Sequence, residues 1–392
     1  MPGARQELVR VARVSGVLWA GTLVLDRLVP VGILRLWRPR LVSEEALARQ
    51  VAAILGAWGH SPEHTAIIVD RMLYADLHGI DSHGCCMLPF YQQLRDEGRL
   101  SATPEIAIVH ESATTELIDG GGGLGHVPAT IAMEHAIAKC RTNGVAAVAV
   151  RNSGHFGAAG AYAAMASSAG LLGVVTTSTP TPSVVPTFGR EPVLGTNPIA
   201  LAAPAATSPP FLLDMATSAA SLGKLVERWR SGRPIPSGWA LDAKGRTATN
   251  GRVAYAGRRL MPLGGDREHG GHKGYGLAAA VEILSSIVPG VALAAPGGGR
   301  RPTVGHFLLA IDPARFRPDG GFGNDLDRLI HALHATPPLT TDEPVLVPGD
   351  PEQRIFAERR AHGIPLTKSV FEDIRGVACA AGVPFVLDGG RS

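Results

Sequence analysis

Two histidines stand in segments too polar and too rich in glycine for a core: Asp81-Ser82-His83-Gly84 and Asn152-Ser153-Gly154-His155-Phe156-Gly157. Small neighbours leave each imidazole uncrowded and let a ligand approach the backbone. An imidazole titrates near neutrality, so it is the usual proton carrier where a hydroxyl is oxidised or a carbonyl reduced. Hydride transfer of that kind also needs a cation for a substrate carboxylate and donors for a cofactor's phosphates. Arg151, Lys224 and Lys273 offer charge. Gly195-Thr196-Asn197 and Gly270-Gly271-His272-Lys273-Gly274 expose backbone N–H groups, and the second opens a helix, whose dipole favours an anion. Asp214 ends an apolar strand. A carboxylate there either holds a ribose hydroxyl or a histidine, or caps the next helix.

Other chemistries fit less well. Gly120-Gly121-Gly122-Gly123-Leu124-Gly125 satisfies G-x-G-x-x-G after a strand and before a helix, as a Rossmann unit requires. The next strand, however, ends at Val150 and runs into Arg151-Asn152, with no acidic residue for the ribose. The plainer reading is a glycine-rich turn on a helix N-terminus. No G-x-S-x-G occurs, and Ser82 and Ser153 lie too close in sequence to their own histidines to make a nucleophile and base. His83, His155, His269, His272 and His306 form no metal-ligand pair at helical spacing, so no metal is expected.

These segments must be held by a scaffold, and its elements are readable. Ser43 caps a helix over 43–58, and Ser61-Pro62 opens a second one to about 76. A short helix covers 88–97. Strands are expected at 114–118, 145–150, 171–177, 211–214 and 305–311, with helices at 125–140, 158–169, 215–229 and 275–286 between them. Turns fill 232–271, and helices return at 353–362 and 367–380. This order predicts a mixed α/β chain: a helical domain from both chain ends (41–115 and 325–392) around a cofactor-binding, catalytic α/β domain (116–324).

Composition narrows the setting. Gly (48) and Pro (30) are together about a fifth of the 392 residues, below the disordered range but suited to a protein with many loops. A net charge of +3 with no basic stripe interleaved with aromatics argues against nucleic acid. Cys85, Cys86, Cys140 and Cys379 have no zinc spacing, and their pattern indicates a reducing, cytoplasmic compartment. Residues 1–40 stand apart. Arg5, Arg10 and Arg13 precede an apolar run over 14–25 with no cleavage site, and it is too interrupted to span a membrane. An overlong gene start, an interfacial helix and a packing arm are the three readings, and only a genuine segment would give membrane contact.

The ordered motifs resemble one family. They are Ala75-Asp76-Leu77-His78-Gly79-Ile80-Asp81-Ser82-His83-Gly84, Gly123-Leu124-Gly125, and Arg151-Asn152-Ser153-Gly154-His155-Phe156-Gly157. Then follow Gly195-Thr196-Asn197-Pro198, Leu213-Asp214-Met215-Ala216-Thr217-Ser218, Ile235-Pro236-Ser237-Gly238-Trp239, Gly271-His272-Lys273-Gly274-Tyr275-Gly276, Gly305-His306-Phe307 and Pro348-Gly349-Asp350. In this order they resemble the malate/L-lactate dehydrogenases of the second type, a non-Rossmann family that also holds sulfolactate, ureidoglycolate and diketogulonate oxidoreductases and a cyclic-imine reductase. The likeness covers about residues 42–385 and begins where the arginine-rich leader ends. It implies a cofactor domain on a largely antiparallel sheet, a helical domain from both ends, a homodimer, and an active site between domains completed by the partner subunit. It implies an NAD- or NADP-dependent dehydrogenase of a small-molecule substrate, a 2-hydroxy acid. By position, His155 is the acid/base at the substrate oxygen, and His83, with Ser82 beside it, is the other candidate. Thr177, Asp214, Met215, His272, Lys273, Gly274 and Gly349 lie along the cofactor, and Arg151 and Asn197 serve the substrate.

One departure bears on substrate choice. Where the family shows Arg after Ser-His-Gly and two further residues, this chain has Met87. A guanidinium grips a carboxylate through two parallel hydrogen bonds, and Met offers none. Either another cation such as Arg151 takes over, or the substrate is not a simple 2-hydroxy acid, as for a cyclic-imine reductase. A dinucleotide-binding protein without turnover is the reading from a different class.

Overall fold

The computed structural model describes residues 39–292, 303–340 and 343–389. The leader and the low-complexity loop at 296–302 therefore lie outside or almost wholly outside the described residues. Contacts divide the chain into two units. One joins the residues up to Thr103 to those from Glu352 onward, and the other is Pro104–Pro351.

The first unit is built mainly of helices. A short strand β1 (Arg40–Val42) pairs antiparallel with a strand near the other end of the chain, Ile364–Leu366. Helix α1 (Glu44–Ala57) starts where Ser43 Oγ accepts from Ala46 N, and it buries the stripe Leu47, Val51, Ile54 and Leu55. Helix α2 (Pro62–Leu77) repeats the device, with Ser61 capping His64 N and Pro62 in the first turn, where a missing N–H costs nothing. Two 3-10 turns, Asp81–His83 and Cys85–Met87, then lead into α3 (Leu88–Asp96).

The second unit carries a seven-stranded sheet in the order β2-β3-β4-β8-β5-β6-β7. Its strands are β2 (Ala107–Glu111), β3 (Thr115–Asp119), β4 (Val145–Ser153), β5 (Leu172–Thr177), β6 (Ile199–Ala203), β7 (Phe211–Met215) and β8 (Val304–Ile311). Only β3 and β4 run parallel, so the fold is mixed α/β on a largely antiparallel sheet and is not a Rossmann unit. Helix α4 (His126–Asn143) packs on β4 and β8, and α5 (Gly160–Ser168) on β5 and β6. The all-small face of α5 permits this, since Gly173 of β5 lies against Ala163 and Ala166.

Three expectations need correction. The helix expected over 215–229 is shorter: α6 (Leu222–Arg230) begins only after Ser221, which caps Lys224 N. The preceding stretch stays out of the helix because tertiary bonds compete for it. Thr217 N and Oγ1 both donate to Thr196 O, and Oγ1 also reaches Asn197 O. The turns over 232–271 contain a short helix, α7 (Gly251–Gly257), capped by Asn250. The helix expected over 275–286 starts earlier, as α8 (Gly271–Glu282), and closes in a π-turn at Ile283–Ile287. Strands β2 and β6 and helix α9 (Phe322–His334) were not anticipated. Helix α10 (Asp350–His362), the strand Ile364–Leu366 (β9) and α11 (Lys368–Ala380) complete the chain. Among the described residues no helix is long and apolar enough to cross a membrane.

Candidate active site

The segment carrying His155 leaves the sheet at the end of β4. The β4–β8 register shifts between Val150 and Ser153, and Asn152 adopts φ 49°, unusual for a residue with a side chain. The glycine run explains how this segment is held. Gly120 N donates to Arg151 O, Gly122 N to Asn152 O, and Gly125 N to His155 O, at 2.8, 2.8 and 3.0 Å. A Cβ at Gly125 would lie 2.3 Å from Gly154 O, and one at Gly154 would lie 2.6 Å from Gly123 O. The run is thus a backbone clamp on the His155 segment, and its glycines are there for close approach of two chains.

Side chains complete the clamp. Asp119 Oδ1 accepts from Asn152 Nδ2 at 2.7 Å and from Gly121 N, and Arg151 Nε reaches Oδ2 at 3.3 Å. Burial works against the Asp119 charge, but Asn152, the Gly121 N–H and Arg151 together hold the carboxyl below its usual range. Arg151 is therefore already matched by a carboxylate. Gly157 N donates to His155 Nδ1 at 3.4 Å, a long bond on one side of the ring.

His83 stands in the first unit. Ser82 Oγ lies 2.7 Å from its Nδ1. The imidazole is only half-buried, yet surrounding atoms strip enough hydration to push it down to about 4. Its loop sits on a carboxylate that the sequence reading passed over. Asp76 is buried, its Oδ2 accepts from Cys85 N at 2.8 Å, and Gly84 packs so closely that a Cβ there would lie 2.0 Å from Oδ1. Burial raises the Asp76 carboxyl to about 7. Arg359 holds the other end of the loop, donating to Asp76 O and pairing with Asp81. Met87 closes the second 3-10 turn, half-buried.

Most of the residues expected along a cofactor lie at the two ends of β7 in the second unit. Asp214 and Met215 end β7. Asp214 does not cap a helix of its own: its Oδ2 accepts from Gly160 N at 2.7 Å and so caps α5 from a different strand. Beyond Met215, Thr217 O accepts from Leu263 N, and Gly274 packs on Leu263, where a Cβ would lie 2.1 Å from Leu263 O. That contact brings the start of α8 to the end of β7. There Arg267 Nη1 donates to His272 Nδ1 at 2.9 Å, and Lys273 is exposed beside them on the first turn of a twelve-residue helix. The opposite end of β7 meets the Gly349 turn, as Leu212 N donates to Pro348 O and Gly349 takes φ 107°. A cavity of about 320 Å³ opens there, lined by Ser208, Phe211, His331, His334, Pro348 and Asp350 among others.

Two expected contacts turn inward instead. Thr177 is buried, with its hydroxyl 2.7 Å from His306 Nδ1 and 3.1 Å from Gly305 O. Asn197 is fully buried, and its Nδ2 donates to Ala278 O and to Glu282 Oε2. Sequence reasoning missed Glu282, Asp119, Asp76 and the place of His306. A histidine alternating with apolar residues through Val304–Ile311 was the one available signal, since a buried imidazole needs partners.

The family profile for malate/L-lactate dehydrogenase matches residues 42–375. Malate dehydrogenase of Pyrococcus abyssi is 38% identical over 346 residues, covering 87% of this chain and 95% of that one. L-sulfolactate dehydrogenase of Methanothermobacter thermautotrophicus is 38% identical over 342 residues, covering 86% and 96%. Among solved structures, sulfolactate dehydrogenase of Methanocaldococcus jannaschii superposes with a TM-score of 0.80 at 34% identity, covering 88% of this chain and 98% of that one. With its non-Rossmann sheet, its two histidine segments and this breadth of match, the chain belongs to the malate/L-lactate dehydrogenase family, oxidoreductases of hydroxy acids.

Proposed function

We infer that this chain moves a hydride between a nicotinamide dinucleotide and C2 of a 2-hydroxy acid or its 2-oxo partner, with a histidine carrying the proton of the substrate oxygen. The observation that carries the reading is the seating of His155. A clamped backbone fixes the segment that carries the imidazole, and an imidazole so held can give a proton to a carbonyl oxygen when it is charged. In the oxidative direction the neutral ring accepts the hydroxyl proton, becoming imidazolium, as C2 gives up its hydride. His83, oriented by Ser82, is the second candidate for that proton.

The residues present fit a dinucleotide. Arg267, His272 and Lys273 gather at the N-terminus of α8, where helix dipole and side chains both favour phosphate. Asp214 and Met215 lie at one end of β7 and the Gly349 cavity at the other, so the strand offers a bed for an extended ligand. When bound, the cofactor supplies the hydride acceptor or donor; Lys273, Gly274 and the Gly349 turn would hold it. With Met87 apolar and Arg151 matched by Asp119, a substrate carboxylate must find another partner. Exposed Ile283, Ile287 and Val288, side by side at the end of α8, support a homodimer.

Oxidation of NADH and NADPH, followed by their absorbance, against a panel of 2-oxo acids and cyclic imines tests the reading. Turnover is expected with at least one 2-oxo acid, and His155→Ala or His83→Ala should abolish it. Wild-type kcat/KM in both variants would refute the proton role. Dinucleotide binding without turnover on any substrate would show a protein that has lost its reaction.

A further inference from the structure

His306 has no part in the reaction proposed above, yet it is held on both ring nitrogens and on one face beside the His155 segment. It is fully buried in β8. Its Nε2 lies 2.9 Å from Ser153 Oγ and its Nδ1 2.7 Å from Thr177 Oγ1. Its ring stacks on Phe156, with centroids 4.4 Å apart and planes 3° from parallel. The Phe156 carbonyl accepts in turn from the Tyr162 hydroxyl. Ser153 and Phe156 flank the Gly154-His155 pair, so both of His306's contacts on this loop bracket the proposed proton carrier.

The tautomer follows from the network. Loss of hydration lowers His306 to about 3, so the ring is neutral at working pH and carries one donor and one acceptor. Thr177 Oγ1 donates to Gly305 O, which leaves it to accept from Nδ1–H. Nε2 must then accept from the Ser153 hydroxyl. No charged side chain is among these contacts; the neighbours are Ser153, Thr177, Phe156 and Gly305.

We propose that His306 is a positioning residue for His155: a neutral post that fixes the loop at Ser153 by its edge and at Phe156 by its face. This rests on the reading of His155 as proton carrier. The ladder between β4 and β8 has slipped there, so on the β8 side the loop is held by side-chain contacts in addition to the glycine clamp on its other side.

His306→Phe keeps the stack and removes both hydrogen bonds; His306→Phe with Ser153→Ala also removes the orphaned hydroxyl. Steady-state kinetics, melting temperature and the pH profile of kcat/KM are measured for both, beside His155→Ala. Displacing a catalytic group by about 1 Å can lower turnover by about 100-fold, and a fall of that order in kcat with little change in dinucleotide Kd is expected for His306→Phe. The double variant should regain melting temperature but not kcat, and the pKa seen in kcat/KM should move. Recovery of kcat together with melting temperature would overturn the proposal, because His306 would then be a packing residue only. Wild-type kcat in His306→Phe alongside an inactive His155→Ala would overturn it and leave the reading of His155 standing. Wild-type kcat/KM in His155→Ala would overturn both.

Discussion

Asp76→Asn tests whether the carboxylate beneath the Ser82-His83 loop is held against its own ionisation. Burial raises Asp76 from 3.8 to about 7, Asp81 adds to the rise, and Arg359 and the Cys85 N–H oppose it. The folded protein therefore binds this proton more tightly than the unfolded chain. The stability it contributes is full below 3.8 and is lost as pH rises through 7. One proton with those two affinities removes about 1.4 kcal/mol between pH 6 and pH 8. Asn keeps an oxygen for Cys85 N–H and has no charge to lose, so the variant lacks this slope. His60 and His83, each lowered to about 4, act with the opposite sign and mainly below pH 6.5. Their contribution is common to both proteins and cancels in the comparison. Urea titrations of wild type and Asp76→Asn at pH 6 and pH 8 give four free energies. The wild type should lose about 1.4 kcal/mol more than the variant across that interval. Equal changes in the two proteins, or a wild type that loses less than the variant, would refute the claim that Asp76 is buried as the acid.

Two further perturbations follow from packing. Gly125→Ala places a methyl 2.3 Å from Gly154 O and 2.8 Å from His306 Nε2, so the His155 segment must shift; kcat should fall by about 100-fold, measured at saturating cofactor, and a near-normal kcat would mean the clamp has slack. Phe188 holds φ 64° with 88% of its surface exposed, so Phe188→Gly relieves left-handed strain at no loss of packing and should stabilise by about 1 kcal/mol in thermal melts without altering turnover.

Local chemistry was legible wherever it stayed local. Ser43, Ser61 and Pro62 mark helix starts by residue type alone: the two serines cap the helices expected, and Pro62 opens the second. The histidine segments announced themselves by their glycines and hydroxyls. What the sequence could not show was which distant chain each polar group meets. The glycine run met every local requirement of a phosphate loop, but its N–H groups go to the carbonyls of 151, 152 and 155. Asp214 was open to two readings, a ribose or histidine partner and the cap of the following helix; the helix that it caps is one that begins 54 residues earlier. The stretch after Met215 has the small residues of a helix, but Thr217 bonds to a neighbouring loop and keeps it out of the helix. Strand β2 is exposed along its whole length and so carries no apolar alternation to read. Helix α9 shows the converse: Leu326, Leu329 and Leu333 have helical spacing, and the periodicity was there to be found.

The position of β8 sets an order of events in the life of the chain. It lies between β4 and β5 yet is made long after both, and 153 residues separate Ser153 from His306. At typical synthesis rates that interval is about 8 to 30 s. Until β8 arrives, β4 and β5 present open edges to the cell, and the His155 loop has no post to close on. The centre of the sheet is therefore its last part to be made, and the open edges of β4 and β5 vanish at the same moment as the His155 loop gains its contacts with β8.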